Sequence, residues 1–468
     1  MQRAVIIIFG WVFTASAIQA EDLKSIYDRA LNNDPQIRES DAIRLATREA
    51  RPQAWAALLP QITGSASKTE SETAANGKFP QEIETSSGSG KFAVINFNST
   101  SVSKPKIERW SLDLRQSVFS LQNWVGLQRA SKQVAQAETD YHLAEQNLIQ
   151  RVATSYFDVL AAKDTVDAQS SAFAAISRQL EQSEKRFEVG LIAITDVQEA
   201  KAARDSSAAA VIAAKRTLAT KEELLREITG DSYDSLAKPS EDIVLQTPDP
   251  ADASQWVARS MEQNLALISS RLAADIARDN VHSAFGGHLP SIDLVASKSN
   301  VDQNSPITFT SGNIGTRTNN SDDTTVQLQL SMPIFSSGGT QSRVRQSQYQ
   351  WRAARERLSR VSRQTERQAR DAYLGVISEI ARVTALRQAL QSSRTALKAT
   401  EAGYEVGTRT TVDVLEGRRS LVQAETNYSR SRYDYILNVL GLRLSSGTLD
   451  RQVLEEVNAL LTETTTLR

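Results

Sequence analysis

The chain has 468 residues, 40% of them apolar and 23% charged, with a formal net charge of −1. That length admits two or three ordinary domains, and the near-neutral balance excludes the basic stripe typical of nucleic-acid binding. It contains no cysteine, which removes disulfides, thiolate metal sites, a catalytic thiol and a lipid-accepting cysteine after a leader.

Residues 1–20 read as a secretory signal peptide. Arg3 supplies the positive start, Val5 to Phe13 the apolar stretch, and Ala15-Ser16-Ala17 a small-x-small cleavage pattern. Cleavage after Ala17 and after Ala20 both fit. The apolar stretch is too short to span a bilayer, and no later run reaches the roughly 18 apolar residues of a membrane helix.

From residue 21 the predicted elements fall into two similar halves. The first, 21–230, opens with a helical pattern from Leu23 to Leu58, interrupted near Asp34-Pro35. A β-hairpin is predicted over 60–118, with weak alternation at Ile62-Thr63-Gly64-Ser65-Ala66-Ser67 and clean alternation at Trp110-Ser111-Leu112-Asp113-Leu114-Arg115. Strict alternation marks a strand with one apolar and one wet face. Between them, Ser86-Ser87-Gly88-Ser89-Gly90 has the composition of a solvent-exposed loop. A long helical hairpin follows over 120–229. Ser120 to Glu188 holds no proline and a single glycine, Gly126, so a continuous helix there would be about 100 Å long. The chain turns at Gly190 and returns as a second helix from about Thr195 to Thr229.

A linker is placed at 231–250, and the second half, 251–448, repeats the plan. After a helix comes a hairpin over 289–334, with alternation at Ile292-Asp293-Leu294-Val295-Ala296 and Val326-Gln327-Leu328-Gln329-Leu330-Ser331-Met332. Asn319-Asn320-Ser321-Asp322-Asp323 is read as its polar loop. The helical hairpin over 336–444 runs from Ser336 to Glu405, turns at Gly407 and returns from Thr411 to Leu444. Residues 449–468 form a C-terminal segment. The helices are rich in Ala, Gln, Ser, Arg and Glu with narrow apolar stripes, a composition that suits close coiled-coil-like packing rather than a thick core.

Short segments of the first half recur in the second. Leu59-Pro60-Gln61-Ile62 returns as Leu289-Pro290-Ser291-Ile292 at an offset of 230, and Val118-Phe119-Ser120 as Ile334-Phe335-Ser336 at 216. Arg186-Phe187-Glu188-Val189-Gly190 returns as Gly403-Tyr404-Glu405-Val406-Gly407, and Asp196-Val197 as Asp413-Val414, both at 217. The order is collinear, and a long period repeated twice implies a duplicated unit rather than a solenoid.

Four strands per chain cannot close a barrel, which needs about eight. In lipid an open sheet edge leaves backbone groups unpaired at several kcal/mol each. The chain must therefore stay out of the membrane or pool strands with other copies, about eight from two chains or twelve from three.

At the two helix turns the sequence resembles the TolC family of outer-membrane channels. The first turn is Arg186-Phe187-Glu188-Val189-Gly190-Leu191-Ile192-Ala193-Ile194-Thr195-Asp196-Val197-Gln198. The second is Gly403-Tyr404-Glu405-Val406-Gly407-Thr408-Arg409-Thr410-Thr411-Val412-Asp413-Val414-Leu415. The resemblance extends over almost the whole chain after the leader, including Tyr433-Asp434-Tyr435-Ile436-Leu437-Asn438. It implies a mainly α fold with a β-barrel contribution, assembled as a homotrimer in the outer membrane with a helical tunnel in the periplasm. It also implies a periplasmic adaptor and an inner-membrane ABC or other transporter as partners, no cofactor, and a role in type I secretion or small-molecule efflux.

The resemblance implies further that bonds between the two turns hold the entrance closed, Tyr404 with Asp196 and Arg409 with Thr195. The competing reading is that Thr195 and Asp196 simply cap the returning helix. Asp413 and Glu416, three apart on one helix face, become stacked carboxylate rings in a trimer and favour cations. The family pattern has aspartate at both positions, so Glu416 alters the reach of its ring. An ordinary solvated acidic face is the alternative.

Other features carry less. His142, His282 and His288 lack metal-ligand spacing, and Gly88-Ser89-Gly90-Lys91 lacks the upstream glycine and following Ser/Thr of a P-loop. The arginines from Arg343 to Arg370, interleaved with Glu356 and Glu366, face anionic groups below the membrane or form a solvated helix face. Trp110, Phe119 and Phe335 sit near strand ends, as interface aromatics or as packing. No nucleophile–base constellation emerges, so a non-enzyme is expected. The alternatives to a duct are a non-conducting helical-hairpin scaffold of the envelope and a periplasmic adaptor, whose usual single hairpin does not match the duplication.

Overall fold

The computed structural model describes residues 21–85, 87, 88, 90–309 and 314–467. The predicted signal peptide and part of the loop at 86–90 lie outside them. In chain order the elements are α1 (Leu23–Asn33), α2 (Pro35–Arg48), α3 (Ala50–Ala56), β1 (Gln61–Glu70), β2 (Thr73–Glu84), β3 (Phe92–Ser103) and β4 (Lys106–Phe119). Then come α4 (Leu121–Glu188), α5 (Ile194–Thr229), β5 (Ser235–Pro239), α6 (Ala253–Gln263), α7 (Leu265–Gly286), β6 (Ser291–Phe309) and β7 (Ile314–Ser331). The last are α8 (Gly339–Glu405), α9 (Thr411–Ser445), α10 (Arg451–Asn458) and β8 (Leu461–Thr466). They form two compact units. One comprises the segment up to Thr47, Ala135–Ala273 and the chain from Ala354; the other comprises Arg48–Val134 and Ala274–Ala353. Each takes segments from both sequence repeats.

The second unit is organised by a sheet in which β1, β4, β6 and β7 lie side by side, all antiparallel. β1–β2 and β3–β4 form one long ribbon, paired from Gln61↔Arg115 to Glu70↔Lys106 and again from Thr73↔Ser103 to Glu84↔Phe92. The ribbon breaks where Pro105 interrupts its second arm. Proline has no N–H for the ladder, and the Pro105 carbonyl instead accepts from Ser71 N at 3.2 Å. β6 and β7 pair without interruption from Ser291↔Ser331 to Thr308↔Ile314. This corrects one expectation: residues 319–323 form part of β7 rather than a loop. Their Asn, Ser and Asp side chains are compatible with a strand because they stand on a sheet exposed in the single chain, where Asn300 donates to Asn320 and Asp322.

Register separates the faces. Ile62, Leu114, Ala296 and Val326 form one row across four strands, whereas Thr63, Asp113, Ser297 and Thr325 form the next row on the opposite face. The apolar face is open: Val326, Leu328 and Leu330 are each about two-thirds exposed in the single chain. No helix among the described residues is long and apolar enough to cross a membrane.

In the first unit, Asp22 caps α1 by accepting from Ser25 N at 2.8 Å. Pro35 opens α2, where a missing N–H costs nothing. The core packs Leu23 and Ile26 of α1 against Leu148, Tyr156 and Phe157 of α4 and Tyr433 and Ile436 of α9, all essentially buried. Phe157 stacks on Tyr433 with centroids 5.6 Å apart. Beside this core Asp158 accepts from Lys221 at 2.9 Å and Arg430 at 2.5 Å, and Arg430 also reaches Asp434 at 2.8 Å. Burial pushes the Asp158 carboxyl up, but the bonds from Arg430 and Lys221 outweigh it and hold it below the usual range. Three elements were not expected. β5 lies inside the predicted linker and pairs antiparallel with β8 in the C-terminal segment, and α10 precedes β8.

Replacing Phe157 with alanine removes a ring that is completely buried and is expected to cost about 3–5 kcal/mol. A lowered midpoint of thermal or denaturant unfolding, with the helical signal retained at low temperature, is the expected readout.

Candidate gate at the helix turns

Both helical hairpins turn through the same local geometry. At the first, Gly190 N bonds to the Phe187 carbonyl and Leu191 N to the Arg186 carbonyl, each at 2.9 Å. At the second, Gly407 N bonds to the Tyr404 carbonyl at 3.1 Å and Thr408 N to the Gly403 carbonyl at 2.8 Å. This pair of bonds is the Schellman motif, which requires a left-handed residue after the helix. Gly190 and Gly407 supply it with φ of 76° and 79°. The duplicated Val-Gly pair thus encodes two equivalent corners in one unit.

The returning helices start differently. Thr410 and Asp413 form a reciprocal capping box on α9: the Asp413 carboxylate accepts from Thr410 N at 2.9 Å and Thr410 Oγ1 at 3.0 Å, and Thr410 Oγ1 accepts from Asp413 N at 3.3 Å. These Thr410 bonds, with the nearby Arg409 charge, hold the Asp413 carboxyl below its ordinary range. The Thr-x-x-Asp spacing is a capping-box-like signal that was available in the sequence. On α5 the cap position is Ala193, with no side-chain bond. Asp196 therefore stands in the first turn, Thr195 is exposed, and the capping alternative for this pair has no bond behind it.

Around the second turn, Tyr404 is partly buried and its hydroxyl has no hydrogen-bond partner. The Arg186 guanidinium lies 4.9 Å over the Tyr404 ring, tying the end of α4 to the end of α8. Sequence reading had not singled out that contact. The Arg409 stem folds against Gly403, where an added Cβ would meet Arg409 Cγ at 2.8 Å. Among the described residues of one chain no bond joins Tyr404 to Asp196 or Arg409 to Thr195. Glu416 is exposed, with Arg419 at 3.5 Å. Several large apolar side chains also stand free at the tips: Val189, Leu191 and Val406 are each at least two-thirds exposed.

An antiparallel sheet with an uncovered apolar face, joined in sequence to very long helical hairpins, defines an outer-membrane channel protein. The outer membrane efflux protein family matches residues 26–231 and 256–448. The chain is 36% identical over 446 residues to outer membrane protein TolC of Vibrio cholerae, covering 95% of each. It is 26% identical to the alkaline protease secretion protein AprF of Pseudomonas aeruginosa over 92% of this chain and 86% of that one. The crystal structure of the Campylobacter jejuni CmeC outer membrane channel superposes with a TM-score of 0.71 at 17% identity, covering 94% of this chain and 90% of that one. The chain belongs to the outer membrane efflux protein family, and it is an outer-membrane exit duct.

Because its folded-state pKa is depressed, the Asp413 carboxylate stabilises the α9 start above the ordinary aspartate range, about pH 3.9. That contribution is lost as pH falls through the lower folded value. Hydrogen exchange at the first turn of α9, corrected for the intrinsic pH dependence, should therefore rise below about pH 4. The Asp413→Asn variant should show the faster exchange already at neutral pH.

Proposed function

We propose that the chain acts as a homotrimer whose strands close one barrel, with the helix turns as a gate at its periplasmic end. The observation that carries this is the sheet. β1 and β7 are free edges in a single chain, and the face bearing Leu328 and Leu330 is apolar and uncovered. Lipid would cover that face, while the edges need partner strands. A second copy supplies edges of matching pattern.

The gate reading rests on Tyr404. A buried hydroxyl without a partner costs roughly 1–3 kcal/mol, and an Asp196 carboxylate on a neighbouring turn would satisfy it. Arg409, exposed beside Gly403, would reach Thr195 in the same way. Three copies of Asp413 and Glu416 would then ring the narrow end, although Thr410 already engages Asp413 and Arg419 lies near Glu416. A latch of a few such bonds can be opened by a partner that binds the open state better. A periplasmic adaptor coupled to an inner-membrane ABC or other transporter fits that role, and the exposed apolar tips offer it a surface. The cargo comprises secreted protein or small molecules, as the name of AprF suggests for the former. The work done is transport, not catalysis.

Purified protein in a planar bilayer should conduct. Arg409→Ser should raise the mean conductance or open time, and failure of both the parent and this variant to conduct would leave a spacer as the better account. Asp413→Ala should lower cation preference, measured as a shift in reversal potential under a salt gradient. An unchanged potential would remove Asp413 from the constriction.

A further inference from the structure

The first unit holds a cavity of about 510 Å³ between α9, α10 and the segment that follows β5. That size lies within the range of small-molecule sites. Ile436, Val439 and Leu442 of α9 line it, together with Val453, Val457 and Leu460 from α10 and just beyond. Val244, which also lines it, is 68% exposed and Leu460 37%, so the cavity meets solvent through an apolar rim.

The walls are fixed by bonds of the chain's own. Tyr435 Oη accepts from Gln246 N at 2.9 Å and donates to the Gln246 carbonyl at 3.0 Å, which fastens the segment after β5 to α9. Trp256 Nε1 donates to the Pro250 carbonyl at 2.8 Å, and this indole is 1% exposed. A cavity whose walls are ordered beforehand costs an entering ligand little conformational freedom.

One part of the lining carries positive charge that no carboxylate neutralises. The Arg443 guanidinium lines the cavity and lies 5.5 Å over the Trp256 ring, and the Arg259 guanidinium lies 5.4 Å over the same ring. Among the described residues neither arginine forms an ion pair or donates a side-chain hydrogen bond. Stacking engages the plane of a guanidinium and leaves its in-plane N–H donors free for a carboxylate. Asp249 and Glu456 also line the cavity, but both are exposed, whereas Arg443 is half-buried. A cation partly withdrawn from water attracts an anion more strongly than one in bulk solvent.

We propose that this cavity binds a small amphipathic carboxylate, with its apolar body between α9 and α10 and its charged end on Arg443. The site lies within one chain, so it goes beyond the homotrimer reading and does not rest on it.

The probe is octanoate, compared with octylamine, which has the same chain length and the opposite charge. Full-length protein in lipid nanodiscs is titrated by calorimetry, and empty nanodiscs measure partition into lipid. Octanoate should bind saturably with a Kd of about 1 mM or tighter, the scale set by its roughly ten non-hydrogen atoms. Arg443→Gln should weaken that binding about tenfold or more, the scale of a lost hydrogen bond to a charged group. Arg443→Lys keeps the charge and should lose less. Val439→Trp, which fills the cavity, should abolish binding, and the Arg443 variants decide the matter where this one fails to fold. Octanoate heat no greater than that of empty nanodiscs overturns the proposal. So does equal affinity of Arg443→Gln and the parent, or tighter binding of octylamine than of octanoate.

Discussion

An unpaired sheet edge is the constraint on which the rest depends. A strand in water can leave its outer N–H and C=O groups to solvent, but in a hydrocarbon layer nothing replaces them. The sheet here combines an uncovered apolar face, which water disfavours, with two free edges, which lipid disfavours. Neither environment suits a single chain. The two demands together favour a closed barrel shared among copies, and they make assembly and membrane insertion parts of one problem.

The helical unit answers a different demand. Narrow apolar stripes bury little area per residue, so specificity depends more on polar pairs placed between helices. Asp158 is held by α5 through Lys221 and by α9 through Arg430, which links onward to Asp434. The segment after β5 is fastened by side chains of α9: Tyr428 donates to the Glu241 carbonyl, Arg432 to the Ser240 carbonyl and Tyr435 to the Gln246 carbonyl. The helix turns are joined more sparingly, with Tyr404 covered by Arg186 while its hydroxyl stays unsatisfied. Polar ties are thus dense around α9 and sparse at the helix turns.

Much of this was legible in the residues. The helices were bounded to within a few positions because proline and glycine fall at their ends: Pro35, Gly190 and Gly407 each sit where the backbone needs them. The Asn-Ser-Asp run in the strand between 314 and 331 carries turn composition, and composition cannot register the ladder that β6 supplies along its whole length. β5 and β8, of five and six residues, are too short to carry a detectable period, and their pairing joins segments that are distant in sequence. At the helix turns, the glycines and the Thr410–Asp413 box are encoded locally. The Arg186–Tyr404 contact joins the two repeats and has no local signature.

The two repeats also differ in a telling way. α4 and α8 contain 68 and 67 residues, and α5 and α9 contain 36 and 35. The strand regions, Gln61–Phe119 and Ser291–Ser331, differ far more. One residue inserted within a helix rotates everything beyond it by about 100° and slides it by 1.5 Å, taking every stripe residue off its partner. A hairpin can lengthen at its far end without disturbing what lies behind it. The helices therefore act as a fixed gauge and the hairpins as adjustable ones. Foreign epitopes or binding loops belong at the hairpin tips, and a change in wall length would have to come as matched insertions of whole helical repeats in both halves at once.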